Sequence, residues 1–268
     1  MASVATASNT QPSAAETYFK KGFNSVPGWA VNNSLRLVRC LDAVQRADDE
    51  RGGVGKLGIQ HGKLFISLAH LSRPGEPKVA INVFGSSEKS APGSAAIEKQ
   101  GFLDNFRNHY GATDDLHLIE ESVADVQPAK LIKKVGGKLR LFSVDCGSSS
   151  AQVTAGLELA EKVLSERGFV ILSEVFNDWW PGVSSGVIAY LQNGTSKLVP
   201  CAIAGTMMAF CFESYLQRAQ QELKSILSSS GRRQKCGVVN VYFKDADWLE
   251  KPVTCIRFHD NKPAVKAS

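Results

Sequence analysis

The sequence predicts an α/β protein built on a doubly wound, mostly parallel sheet of seven strands, with a helical cap before it and an extension after it. Three observations carry this. Short apolar runs alternate with amphipathic segments from Gly53 onward, the pattern of a parallel sheet covered on both faces. The run from Gly53 to Lys63 (Gly-Val-Gly-Lys-Leu-Gly-Ile-Gln-His-Gly-Lys) reads as strand, glycine turn and helix start, and a second apolar run, Val79-Ala80-Ile81, ends at the polar Asn82. Two further apolar runs meet at Gly205, close enough in sequence to pair antiparallel.

Each element has its own signal. Residues 1–15 hold Ala, Ser and Thr but no charged side chain. They lack the apolar core of a signal peptide and the Arg of a transit peptide, so a disordered tail is expected. Residues 16–50 are expected to form the helical cap: Leu35, Leu37, Val38, Leu41 and Val44 recur at helical spacing after a break at Pro27-Gly28. The core is assigned to 51–212. Its strands are expected near 53–59, 78–83, 115–119, 138–144 and 168–173, and its helices over 62–71, 95–110, 127–135, 151–166 and 183–192. Ser148-Ser149-Ser150 supplies hydroxyls to cap the fourth of these helices. The antiparallel pair follows at 198–203 and 206–212. Residues 213–268 are expected to pack on the core as a helix carrying Leu216, Ala219, Leu223 and Leu227, a break at Gly231-Arg232-Arg233, and late strands or an edge extension at 237–243 and 253–258.

Composition narrows the function. With 268 residues, 43% of them hydrophobic, the chain can bury one sizeable core. The net charge is +5, but Lys and Arg are scattered, which argues for a solvated surface and against nucleic-acid binding. Six cysteines show no Cys-x-x-Cys spacing. They read as buried, reduced thiols of a cytoplasmic protein, with no metal site. The longest apolar stretch, Leu198 to Phe212, is broken by Pro200 and Gly205 and is too short to span a membrane. The apolar helix at 213–228 and the late strands could support a homodimer. No phosphate-binding loop occurs.

Five alternating strands followed by a hairpin resemble the class I S-adenosylmethionine-dependent methyltransferases, in their small-molecule branch. Leu57-Gly58-Ile59-Gln60-His61-Gly62 with the strand before it resembles that family's first motif, Glu-h-Gly-x-x-x-Gly, where h is apolar. Val79 to Phe84 is similar to its second motif, a strand ending in an acid, and Leu141 to Asp145 to its fourth-strand motif. Val170 to Asn177, with Trp179-Trp180-Pro181-Gly182-Val183, is similar to the fifth strand and its loop. The resemblance spans residues 25–212. It implies a Rossmann-like methyltransferase fold, S-adenosylmethionine as cofactor and O-methyl transfer to a small molecule. Carried over by position, it places the cofactor against Lys56, Gly58, Gln60, Gly62, Asn82 and Asp145.

The chain departs from the family where the cofactor would lie. Lys56 stands in place of the first-strand Glu and Asn82 in place of the acid that grips the ribose. Cys146-Gly147-Ser148 stands for Gly-Gly-His or Gly-x-His, and Ser173-Glu174 for Asp-Asp. The cofactor presents an ammonium and a sulfonium, so a lysine at about 4 Å repels it by roughly 4 kcal/mol at an effective dielectric near 20. Lys56 escapes that conflict if it pairs with Asp145 or Glu174. Asn82 keeps one acceptor but loses a charge-assisted grip, about 1–2 kcal/mol. For catalysis the candidates are His61 as a base near neutral pH, and Asp145 and Glu174 as acid and base at the carboxyl ends of strands. Phe176, Trp179 and Trp180 are expected to wall the substrate. Methyl transfer is one reading. The alternatives are a cofactor-independent cyclase, isomerase or lyase, or a non-catalytic binding protein, on a repurposed scaffold.

Overall fold

A computed structural model describes residues 12–84, 99–111, 114–145 and 147–259. The cap begins with short helical turns, α1 (Ala14–Thr17), a π-helical turn (Tyr18–Gly22) and α2 (Phe23–Ser25), then the long α3 (Asn32–Ala47). The chain then alternates: β1 (Gly53–Leu57), α4 (Lys63–Leu71), β2 (Lys78–Ile81), α5 (Lys99–His109), β3 (Leu116–Ile119), α6 (Pro128–Val135), β4 (Leu139–Val144), α7 (Ser150–Val163), β5 (Leu164–Leu172) and α8 (Pro181–Gln192). It closes with β6 (Leu198–Ala204), β7 (Met207–Phe212), α9 (Glu213–Ser228), α10 (Ser230–Lys235), β8 (Asn240–Trp248) and β9 (Lys251–His259).

The sheet runs β3-β2-β1-β4-β5-β7-β6-β9-β8. β1 to β5 are mutually parallel, and β7 is antiparallel to β5 and β6. The doubly wound α/β class expected from sequence is therefore present, but among the described residues the sheet has nine strands and not seven. The late strands form the expected edge extension: β9 adds parallel to β6, and β8 folds back on β9. Their hairpin turns on Leu249 and Glu250, both at positive φ (51° and 60°), as a two-residue loop requires.

Local signals explain most boundaries. Gly62, at φ +93°, opens α4, Pro128 and Pro181 begin α6 and α8, and Ser149 caps α7 by accepting from the Gln152 N–H at 3.3 Å. Two expectations fail. The helix expected to run to residue 166 ends at Val163, because β5 starts at Leu164 with an irregular stretch before Phe169 joins the ladder. Gly231-Arg232-Arg233 lies inside α10 and does not break the chain. Of the expected disordered tail, residues 1–11 lie outside the described residues, and Ala14 and Ala15 already belong to α1.

Two apolar layers flank the sheet. One joins the cap, α4, α5 and α9, and the other joins α6, α7 and α8. At the amino ends of β1 and β4, an ionic cluster fastens α3 to the sheet. Arg140 on β4 is fully buried. It donates to Asp42 (2.9 Å), Gln45 (2.7 Å), the Leu71 carbonyl (2.9 Å) and both oxygens of Glu76 (3.1 Å). Gln45 returns a bond to the Arg140 carbonyl at 2.5 Å.

Two histidines contribute a pH dependence. His70 on α4 lies 5.2 Å from the rings of both Tyr18 and Tyr110, and its Nε2 is 2.9 Å from the His109 carbonyl. Burial lowers its pKa, and burial with nearby Lys134 lowers that of His117. Both bind protons more readily when unfolded. Their contribution to stability is whole above the unfolded value, about 6.5, and is lost as pH falls below it through the folded values. Urea midpoints measured on either side of that value should drop on the acid side, and His70→Gln should flatten the slope.

Candidate functional site

The strand register aligns the candidate residues along one edge. Leu57 pairs with Ile81 and with Val144, and Val144 pairs with Leu172. The next residue of each strand therefore falls in one row: Gly58, Asn82, Asp145 and Ser173. The backbone ladder continues through it, with Gly58 N–H donating to Ile81 O (2.8 Å), Asp145 N–H to Leu57 O (2.9 Å) and Ser173 N–H to Val144 O (3.2 Å). This is the carboxyl edge, where doubly wound sheets bind ligands.

Lys56 resolves its conflict within this row. It is 4% exposed, and its Nζ donates to Asp145 Oδ2 at 3.2 Å. Gln60 Nε2 reaches the same oxygen at 3.4 Å. Asp145 thus serves two donors from the strand and loop of the first motif. Of the two partners expected for Lys56, Asp145 is the one it takes. Glu174 is held within its own loop, accepting from Asn177 Nδ2, while Asn177 Oδ1 accepts from the Trp179 N–H at 2.8 Å.

Asn82 is also engaged. Its Oδ1 accepts from the Ile59 N–H at 2.9 Å, and the residue is buried. The side chain that would face a ribose instead pins the glycine loop, which leaves its NH2 as the group able to serve a ligand. Near Lys56, the buried Ser143 Oγ has no hydrogen-bond partner among the described residues, and Ser143 is the register partner of Lys56 on β4.

The loop itself is tightly fixed. Gly58 has φ +77°, and a Cβ there would lie 1.8 Å from the Asp145 carbonyl oxygen. Gln60 and Glu174 hold positive φ (53° and 65°) without being glycine, which places backbone strain on both sides of the row. Gly58→Ala should therefore cost about 3 kcal/mol, read as a lowered denaturation midpoint. The cap braces the loop: Tyr18 donates its hydroxyl to the Lys63 carbonyl at 2.7 Å, and the Gly28 position lies against Gln60 and Lys63.

His61 is half-buried. Its carbonyl accepts from Asn105 Nδ2 at 3.0 Å, and its ring has no hydrogen bond to Asp145 or Glu174. The three expected aromatic residues separate. Trp179 is 75% exposed, Phe176 stands edge-on to Trp248 of β8 at 6.2 Å, and Trp180 packs on the core. Sequence reasoning missed Trp29 and Val31, both exposed on the cap segment that follows Gly28. Val83, just past Asn82, is exposed too. The signal for Trp29 was available: an aromatic residue directly after a Pro-Gly break has no helix or strand to bury it. No group of three His, Cys, Asp or Glu able to hold a metal occurs among the described residues, and no helix there is long and apolar enough to cross a membrane.

No family model matches the chain, and no curated protein matches its sequence. Solved structures do match its fold. The O-methyltransferase NovP is similar over 68% of this chain and 80% of its own, with a TM-score of 0.56 at 15% identity. CalS11, a TDP-rhamnose 3'-O-methyltransferase of calicheamicin biosynthesis, is similar over 76% of this chain and 97% of its own, with a TM-score of 0.51 at 17% identity. The fold is that of the class I methyltransferases.

Proposed function

We propose that this chain binds a small molecule at the carboxyl edge of its sheet and does so without S-adenosylmethionine, as a methyltransferase-fold protein turned to another use. The observation that carries this is the buried Lys56–Asp145 pair. A donor with an ammonium and a sulfonium needs an acid at this end of the site. Here the acid in reach is neutralised by Lys56 and also held by Gln60.

The residues do not fit that cofactor. Exchanging a carboxylate for Lys56 turns an attraction of roughly 4 kcal/mol at about 4 Å into a repulsion of similar size, and Asp145, paired with Lys56, offsets that repulsion without restoring a net attraction. At the ribose end, Asn82 has its acceptor occupied by Ile59. The site that remains is close to neutral, and exposed Trp29, Val83 and Trp179 sit on the segments that follow Gly28, Asn82 and Glu174. It suits an uncharged or anionic, largely apolar molecule, with Lys56 and the Asn82 NH2 as donors. With Asp145 committed to its ion pair, proton exchange with a ligand is assigned in this reading to Glu174 and His61.

A second reading, O-methyl transfer, keeps one observation in its favour. Gly58 and Gly62 retain left-handed backbone at the first-motif positions, so the loop has the shape that the resemblance implies. Calorimetric titration with S-adenosylmethionine and S-adenosylhomocysteine separates the two. The expected result is no heat at millimolar ligand for either. Micromolar binding of both would establish the second reading and remove the first.

A further inference from the structure

Away from the carboxyl edge, a cavity of about 330 Å³ opens where the cap meets α10. Lys20, Arg36 and Arg39 line it, with Glu16 the carboxylate among the lining residues. Glu16 is already engaged, 2.7 Å from Arg39 and 3.7 Å from Lys20. Arg39 is held in place. Its guanidinium lies 4.4 Å from the Phe19 ring centroid and binds the Lys235 carbonyl as well as Glu16. Arg36 donates to Asn33 Oδ1 at 3.1 Å.

The Lys and Arg residues that look scattered in the sequence are gathered here by the fold. Residues 12–41 and 229–239 hold seven of them against one carboxylate, Glu16, in a chain whose net charge is +5. The positive surplus of the whole protein therefore resides in the two segments that meet at this cavity. The start of α3 adds to it. Asn32, the first residue of that helix, lines the cavity. No side chain caps this end, and no acid stands in its first turn, which leaves the positive end of the helix dipole to an outside acceptor.

We propose that this cavity is a second binding site, for a small phosphorylated organic molecule whose phosphate sits among Lys20, Arg36, Arg39 and the start of α3. Two guanidinium groups and an ammonium suit a phosphate dianion, which accepts several charge-assisted hydrogen bonds at once. The volume lies at the small end of ligand sites, so it admits a compact molecule and not a polymer. Phe19 and Leu35 supply apolar wall for the body of that molecule, and Asn24 and Gln234 supply amides for its hydroxyl or carbonyl groups. Neither Lys56 nor Asp145 lines this cavity, so the site is independent of the one at the carboxyl edge.

The test is calorimetric titration of the intact protein with inorganic pyrophosphate, in wild type and in single variants that keep the wild-type circular dichroism spectrum. The expected result is one site with a dissociation constant below about 1 mM. Lys20→Gln and Arg36→Gln should each weaken it by about tenfold. The Lys20 side chain is 70% exposed, so its loss leaves the fold intact. Lys21→Gln removes the same charge one residue along, outside the cavity lining, and should weaken binding by less than about twofold. Asn32→Asp places an acid at the open end of α3. It should raise the thermal midpoint of the free protein and weaken pyrophosphate by about tenfold. No heat at about 10 mM pyrophosphate, or equal weakening by Lys20→Gln and Lys21→Gln, would overturn the proposal. So would sedimentation of the protein with phosphatidylglycerol vesicles that pyrophosphate does not reverse, which would assign the patch to a membrane surface.

Discussion

Arg140→Met lowers the stability of the protein by about 3–5 kcal/mol, the loss expected when one partner of a buried ionic cluster is removed. The loss comes less from the arginine's own bonds than from what it leaves behind. Asp42 and Glu76 are both nearly inaccessible, and without Arg140 each keeps part of its charge in a low-dielectric setting. Arg46 still reaches Asp42 at 2.6 Å, and Glu76 still accepts from the Arg73 N–H at 2.8 Å, which sets the effect toward the lower end. Arg140→Lys keeps the charge but cannot span α3, the Leu71 carbonyl and Glu76 at once, so it should fall between wild type and Arg140→Met. Urea denaturation gives the ordering directly. Lys251→Ala, which removes an exposed pair with Glu213, should change stability by less than about 0.5 kcal/mol and serves as the control.

The second large effect is a gain. Lys56→Glu with Asn82→Asp should create S-adenosylmethionine binding where wild type has none, by about three decades or more in affinity. The free variant should also be less stable than wild type. The carboxylate introduced on β1 would stand beside Asp145, which has lost its ion pair, and two carboxylates at such range repel. The cationic donor relieves that repulsion when it binds. The double variant should therefore show a thermal midpoint that rises steeply with donor concentration, while the wild-type midpoint stays flat. A flat response in both proteins would mean that charge at these positions is not what keeps the donor out.

Much of this architecture could be read from sequence because its signals are local. Apolar runs of strand length, Gly62 before α4 and the prolines that begin α6 and α8 each act through neighbouring residues. The first-motif row was legible for the same reason: residues that end parallel strands in register must meet at one edge, so topology offered Lys56 a pairing with Asp145 or Glu174, and the structure selects Asp145. Bonds between distant segments were not legible. Nothing near Asn82 signals that its oxygen pins Ile59, and nothing near Arg140 signals Asp42, which lies 98 residues away in the chain. The two late strands were expected, but the tight turn that joins them was hidden because Leu249-Glu250 replaces the glycine-bearing pair that normally marks such a turn. Phe176 was expected to face a substrate, but its ring meets Trp248 on that hairpin.

The central claim is that Lys56 closes the donor end of the site by pairing with Asp145. A crystal structure of the wild-type protein grown with millimolar S-adenosylmethionine tests it most directly. The account predicts Lys56 Nζ still bonded to Asp145 at close to 3.2 Å, with no donor above the Gly58 loop. A donor seated along that loop, its ammonium on Asp145 and Lys56 turned away, would contradict it.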